Sequence, residues 1–314
     1  MPAESASASV VALDVGGTFL KGARIEGAGR VTARLHDPVA RRSRETLLDQ
    51  FEAATRTLDP DGTAVALGIG IPGIVERGGS TVLACPNLPE LDGFGLGPEM
   101  ARRTERPAFL ENDANAAALA EAWIGAGRGS GNLLLVTLGT GIGGGILLDG
   151  RIWSGKSGYA GEVGHIQVDP DGAPCGCGSR GCVETVAGIA GWKRGAEARI
   201  AAHPSVLAGK ALDPANIVAA AKGGDAVALD VVAAAARALG IGIAAALLLL
   251  NLDRVLIGGG VAAAGDFLLE RIADETRRRT FPQVAQDCSF KLAELGADAG
   301  VVGAARVAMV GLAG

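Results

Sequence analysis

Basic residues are too few in this chain to make it a general binder of polyanions. Lys and Arg number 29 against 34 Asp and Glu, a net charge of -5 with an isoelectric point near 5.4, so neither nucleic acid nor an anionic membrane is a general partner. A secretory leader is not expected either. The start, MPAESASASVVALDVGG, has no basic segment and no long apolar stretch before the first glycine motif, and a cytoplasmic location is expected. The longest apolar run, Ala238 to Leu250, includes Gly240 and Gly242 and falls short of the roughly 18–20 residues of a membrane span, so it reads as a buried helix. Histidine and cysteine are scarce, at three and five residues. An odd cysteine count in a reducing compartment argues against a disulfide framework. Small molecules or other protein subunits remain as the expected partners.

What is abundant is apolar surface and glycine: 48% hydrophobic residues and 49 glycines in 314 residues, with a mean hydropathy of +0.30. Such a chain buries a large core, and its length suggests two lobes with a cleft between them. VVALDVGGTFLKGARIEG reads as strand, glycine turn and strand, and VTARLHDP as a third strand. Leu47, Leu48, Phe51, Ala54 and Leu58 recur at helical spacing, and the strand AVALGIGIPG follows an Asp-Pro-Asp-Gly breaker. PAFLEND is a short strand that leads into the alanine-rich helix ANAAALAEAWIGAG. NLLLVTLGTGIGGGILLDGRI then repeats the glycine-turned hairpin. At an offset of 123 residues Asp14 aligns with Thr137, Gly16 with Gly139 and Thr18 with Gly141, the mark of an internally duplicated α/β chain. Beyond residue 183 the pattern is mainly helical (217–221, 225–250 and 266–280), interrupted by the buried strand and glycine turn of RVLIGGGVAAAG.

The turns DVGGT and GTGIGGG, with GGG at 258–260, can bring bare N–H groups against phosphate oxygens, although each alone could be only a tight hairpin. GRIWSGKS (150–157) matches the Walker A pattern, but Gly158 follows where a helix should start, so the match is read as coincidence. GTGIGG and GIGIPG match G-x-G-x-x-G yet run into strand-like residues, which excludes a Rossmann site. Asp113 stands between a strand and a helix, where it could take a proton from a substrate hydroxyl or simply cap the helix.

His165, Cys175, Cys177 and Cys182 follow H-x9-C-x-C-x4-C. Three thiolates and one imidazole are the ligand set of a closed structural zinc site, and a Cys175–Cys177 disulfide would close a strained, very short loop. Glu162 and Glu184 flank the cluster, where a metal would fix them as acceptors for sugar hydroxyls; solvation is the plainer reading of both. Cys85 and Cys288 are expected to be free and buried.

LDVGGT, GIPG, PNL, ENDANAAALAE, LGTGIGGGILLDGRIWSGKSGYAGEVGH, CGCGSRGCVE, IGGG and DAGVVGAA occur in this order over residues 10 to 308, and together they resemble the ROK family of sugar kinases and repressors. The resemblance implies a duplicated actin-like (ribonuclease H-like) ATPase fold. Its lobes would be 1–112, completed by the helix 300–314, and 113–299, which carries the zinc loop. It implies ATP with Mg²⁺, structural Zn²⁺ on the His and three Cys, a hexose acceptor, most readily the 6-hydroxyl of glucose, and a homodimer. Residue by residue, it makes Asp113 the general base and places Asn87, Asn112, Asp113, Glu162, His165 and Glu184 on the sugar. His165 would give one ring nitrogen to zinc and the other to the sugar. Asp14, Gly16, Gly17 and Thr18 would line one phosphate loop, with Asp14 near magnesium; Gly139, Thr140 and Gly141 a second; Gly258 and Gly259 the adenosine side. N-acylmannosamine kinase, fructokinase and a sugar-responsive regulator are the alternatives, and a regulator would need an added helix-turn-helix ahead of VALDVGG. Two positions depart from the family pattern. Phe19 occupies the place of a lysine, with Lys21 two residues on, and no tryptophan follows Asn87-Leu88, Phe94 being the nearest aromatic. The identity of the hexose, and the choice between ATP and polyphosphate, stay open at this stage.

Overall fold

A computed structural model describes residues 9–40 and 43–313. Apolar runs on either side of a glycine turn make β1 (Ser9–Val15), buried along nearly its whole length, and β2 (Phe19–Glu26) a hairpin that β3 (Arg30–Pro38) extends. Helix α1 (Arg44–Leu58) starts where the Ser43 hydroxyl accepts the N–H of Thr46, and it buries Leu47, Leu48, Phe51, Ala54 and Leu58. β4 (Leu67–Ile71), the short pair β5 (Ile74–Val75) and β6 (Val82–Ala84), α2 (Leu96–Thr104), β7 (Ala108–Asn112) and α3 (Asp113–Ile124) follow. The hairpin motif then returns as β8 (Leu133–Leu138), β9 (Ile142–Leu148) and β10 (Arg151–Ile152). Helices α4 (Val183–Ala187), α5 (Ile189–Ile200), α6 (Pro214–Lys222) and α7 (Ala226–Leu250) precede β11 (Arg254–Gly258). The chain closes with α8 (Asp266–Arg277), α9 (Pro282–Asp287), β12 (Ser289–Leu292) and α10 (Ala299–Leu312).

One strand order is used twice. The first sheet runs β3-β2-β1-β4-β7 and the second β10-β9-β8-β11-β12. In each, the central strand of a hairpin pairs in parallel with a later strand: β1 with β4, placing Asp14 opposite Gly70, and β8 with β11, placing Thr137 opposite Gly258. Asp14 and Thr137 are the residues that the 123-residue offset aligns, so the internal repeat holds in the register of the strands.

The chain divides into two compact units. One runs to Gly129 and includes Gly145–Ala160 and the segment from Ala297; the other is Ser130–Gly144 with Gly161–Gly296. In the first unit Leu13, Leu20, Phe51, Leu58, Ile69 and Leu110 share one core. Helix α10 packs there by close backbone approach. A Cβ on Gly68 would stand 1.8 Å from the Ala304 carbonyl oxygen, and one on Gly303 2.0 Å from that of Ala116. Side chains at those two positions would hold the helix away from β4 and α3.

In the second unit α7 is longer than the apolar run that announces it. It spans 25 residues, enough by length and composition to cross a membrane, but 67% of its most apolar window is buried inside the protein, which makes it a core helix. Asp225 caps its start and Asn251, in the left-handed region, ends it. Cys85 and Cys288 are both free and buried.

The first unit also buries a charge. The Asp59 side chain is fully enclosed, 3.1 Å from Nη1 of Arg24 and 2.6 Å from Nη1 of Arg106, and it accepts the N–H groups of Thr63 and Ala64. Removing the anion takes from the half-buried Arg106 the carboxylate it pairs with, while Arg24 keeps Asp61 at 2.7 Å. Asp59→Ala is expected to lower the free energy of unfolding by about 3–5 kcal/mol in a denaturant titration; a loss under about 1 kcal/mol would put the pair on a level with exposed ones.

Candidate active site

In the first unit Asp14 lies near the end of β1, just before the turn Gly16-Gly17-Thr18, which the Gly16 N–H closes onto the Phe19 carbonyl at 2.8 Å. Thr18 at the tip is exposed. Burial raises the pKa of Asp14, opposed by Lys21, whose Nζ lies 4.0 Å from the carboxylate and donates to the Ala297 carbonyl at 3.1 Å. Phe19 and Lys21 are two apart on β2 and therefore share a face. Phe19 is exposed, and its ring lies 4.7 Å from that of His36 at a tilt of 44°, so the side chain that brings a cation to Asp14 from this strand is Lys21.

At the β7–α3 junction the capping question has a definite answer. Oδ1 of Asn112 accepts the N–H groups of Ala114 and Asn115 at 2.9 and 3.1 Å, and its Nδ2 donates to the Gly73 carbonyl at 2.9 Å. Asn112 is the N-cap. Asp113 stands at the first helical position with Oδ1 2.8 Å from the Ala114 nitrogen, where the positive end of the helix favours its charged form. Beneath them Glu111, its pKa raised by burial, accepts from Asn112 N and Asn115 Nδ2. Asn87 is exposed on the turn after Cys85. Burial pushes the Cys85 thiol up to about 11, with smaller contributions from the charges of Asp92 and Asp113. Phe94 lies under the Arg44 guanidinium at 4.5 Å.

In the second unit the four metal-type residues converge. Nδ1 of His165 is 3.5 Å from Sγ of Cys175, and Sγ of Cys177 is 3.7 Å from that of Cys182; all four donor atoms lie within 4.8 Å of one another. Tetrahedral zinc, with bonds of about 2.3 Å to sulfur and 2.0–2.1 Å to nitrogen, sets its donors roughly 3.5–3.8 Å apart. The donor set fits such an ion. Burial and the neighbouring thiols push Cys182 up to about 12, whereas the Ser179 N–H, the two other thiols assisting, lowers the pKa of exposed Cys177; a bound cation would deprotonate the set. The other imidazole nitrogen, Nε2, faces Oε2 of Glu162 at 3.7 Å. Glu162 itself has a raised pKa, chiefly from burial, with His165 lowering it and Glu184 raising it further.

The same unit holds two glycine turns. Thr140 is exposed at the tip of Gly139-Thr140-Gly141, and Oε2 of Glu184 accepts the N–H of Ile142 immediately after it, at 2.9 Å. Gly259, at φ 83°, comes so close that a Cβ would stand 2.4 Å from the Leu138 carbonyl oxygen, which sets the 258–260 turn against the 139–141 turn. Beside it a cavity of about 260 Å³ is lined by Pro214, Val218, Lys222, Gly260 and Val261. The Walker-like stretch 150–157 contains β10 and a turn, and no helix follows it.

The model of the ROK family matches residues 10–310. The chain belongs to the ROK family. A ROK hexokinase from Thermus thermophilus superposes with a TM-score of 0.85 at 33% identity, covering 97% of this chain and 99% of that one. A ROK family glucokinase from Streptomyces griseus, in complex with glucose and AMPPNP, gives 0.80 at 34% identity over 96% and 99%. A glucokinase from Halalkalibacterium halodurans is 39% identical over 306 residues, 93% of this chain and 92% of that one. The fold is the duplicated actin-like ATPase fold of these ROK proteins, as the strand order indicates.

Sequence patterns name Asp14, Asp113, Glu162 and Glu184 as candidates, but they do not single out Glu111 or show the bonds of Asn112 or the hold of Glu184 on Ile142. An Asn directly before a helix is a capping signal and points to the first; the second ends on a backbone N–H and leaves no side-chain signature. Asn112→Ala is expected to cost about 1 kcal/mol of stability, with Asn112→Asp retaining most of it, in equilibrium unfolding of both variants. Equal stability of Asn112→Ala and the parent would remove the cap from the account.

Proposed function

We propose that this ROK protein is an ATP-dependent hexose kinase, a glucokinase that transfers the γ-phosphoryl group of ATP to the 6-hydroxyl of glucose. The observation that carries the reading is the junction at 112–113. Asn112 takes the capping duty, and Asp113 is held at a helix N-terminus at the end of a strand, where an ionised carboxylate can act as general base toward a sugar hydroxyl. Its similarity along nearly all its length to a glucokinase, and to a glucokinase structure holding glucose and AMPPNP, supports the same reaction.

In this reading Asn87, Asn112, Glu162, His165 and Glu184 hold the sugar. Oδ1 of Asn112 is already engaged twice, so what it offers is its remaining amide hydrogen, as a donor. The turns Gly16-Gly17-Thr18 and Gly139-Thr140-Gly141 line the phosphates with backbone N–H groups other than those of Gly16 and Gly139, which close the turns themselves, and Asp14 serves the magnesium ion that neutralises the phosphates when bound. Gly258 and Gly259 take the adenosine side, where the apolar slot beside Gly260 has room for a base. Zinc on His165, Cys175, Cys177 and Cys182 is structural, since four protein ligands leave no open position. The assembly is a homodimer of two-lobed chains. Phosphoryl transfer asks chiefly for positioning and charge stabilisation, and these groups supply both.

A coupled ADP-release assay over glucose, mannose, fructose, N-acetylglucosamine and N-acetylmannosamine is expected to give the highest kcat/KM on glucose; no turnover on any of them would overturn the kinase reading. Asp113→Asn is expected to lower kcat by about 10²–10⁴-fold with an unchanged unfolding midpoint, and ordinary turnover would reassign Asp113 to the helix terminus alone. Elemental analysis is expected to find about one zinc per chain. A metal-free protein that stayed folded and active would remove the structural role.

A further inference from the structure

The C-terminal limb of the turn 139–141 is gripped from two sides, and both grips come from segments that carry a metal-type ligand. On one side is the helical turn Val163–His165: Gly164 lies so near Ile142 that a Cβ would stand 2.2 Å from its carbonyl oxygen, and a Cβ on Gly144 would stand 2.2 Å from that of Gly161. On the other side is α4, which starts directly after Cys182 and presents Glu184 in its first turn. Oε2 of Glu184 accepts the Ile142 N–H at 2.9 Å, and a Cβ on Gly141 would meet that oxygen at 2.5 Å. The entry limb is tied as well, by Ile189 N–H donating to the Gly139 carbonyl at 3.3 Å. The segments are joined to each other, because Val183 N–H donates to the Ile166 carbonyl at 2.9 Å.

We propose that Glu184 is a positioning residue for the nucleotide, latching the phosphate turn 139–141 to the Cys/His knot through the Ile142 N–H. The inference rests on reading that turn as a phosphate loop, and it gives Glu184 a duty that does not need the sugar. A turn of bare backbone binds phosphate only while its N–H groups converge; the latch holds the strand leaving the turn, so the convergence is set before any ligand arrives. The knot thereby acts on the donor side of the reaction, and not solely on the hexose.

What the latch requires is an acceptor oxygen at the reach of a Glu side chain. Charge is a separate property, and three variants separate the two. Glu184→Gln keeps the reach and an oxygen acceptor but loses the charge; Glu184→Asp keeps the charge but is one methylene short; Glu184→Ala loses both. Affinity for Mg·ADP, measured by titration calorimetry without hexose, is expected to remain within about threefold of the parent in Glu184→Gln, and to fall by about tenfold or more in Glu184→Asp and Glu184→Ala. Zinc content and unfolding midpoint are read on the same samples, and the Gln/Asp comparison stands even if Glu184→Ala does not fold. Affinities that follow charge, with Glu184→Asp like the parent and Glu184→Gln weakened, would overturn the latch, as would equal affinities throughout. A parent protein that binds no Mg·ADP would overturn the phosphate-loop reading together with the latch.

Discussion

Backbone segments that approach closer than a Cβ permits hold both units of this chain in shape. In the first, Gly68 and Gly303 let α10 lie against β4 and α3. In the second, Gly164 lies against Ile142 and Gly259 against Leu138, on either side of the 139–141 turn. Contacts of this kind are stiff, because peptide planes have no rotamers through which to yield. They also explain why a chain with 49 glycines is not a loose one. Glycine costs conformational entropy on folding, and here that cost is offset by dense packing and by bare N–H groups placed where a phosphate can approach.

The polar residues divide their work along the same lines. At the β7–α3 junction adjacent residues take different duties: Asn112, neutral and able to donate and accept, satisfies backbone on both sides, while Asp113 sets a carboxyl group at the first helical position. Exchanging the two would leave the Gly73 carbonyl without its donor and shift the carboxylate from position 113 to the N-cap. The order Asn-Asp is therefore a chemical requirement of the junction and not a composition bias.

Much of the fold is legible in the sequence because its central strands are short apolar runs bounded by glycine turns and its helices have marked ends. The hairpins at 9–38 and 133–148, the helix over 44–58 and the strand at 254–258 all follow from periodicity and turn residues. Helix α5 does not, since Gly191 and Gly195 interrupt its apolar face and leave Trp192 as its only large buried side chain. The edge strand β12 is four residues long with no buried position, too short and too exposed for a pattern to emerge. Of the candidate site, the metal-type cluster was legible because ligand types are rare in this chain and their spacing is specific. The latch on Ile142 was not, because one of its partners is a peptide N–H that any residue would supply.

His165 shows how two functions can rest on one ring. Nδ1 points into the thiol cluster and Nε2 toward Glu162. A cation at Nδ1 requires that nitrogen to be unprotonated, which leaves the proton on Nε2. The ring then becomes a donor on its outer side, with Glu162 as the adjacent acceptor. A hydroxyl brought to this edge meets one donor and one acceptor at fixed separation, and a hydroxyl, which both donates and accepts, is the group that such a pair selects. A cation held by the cluster would thus set the hydrogen-bonding sense of the surface beside it by fixing a tautomer.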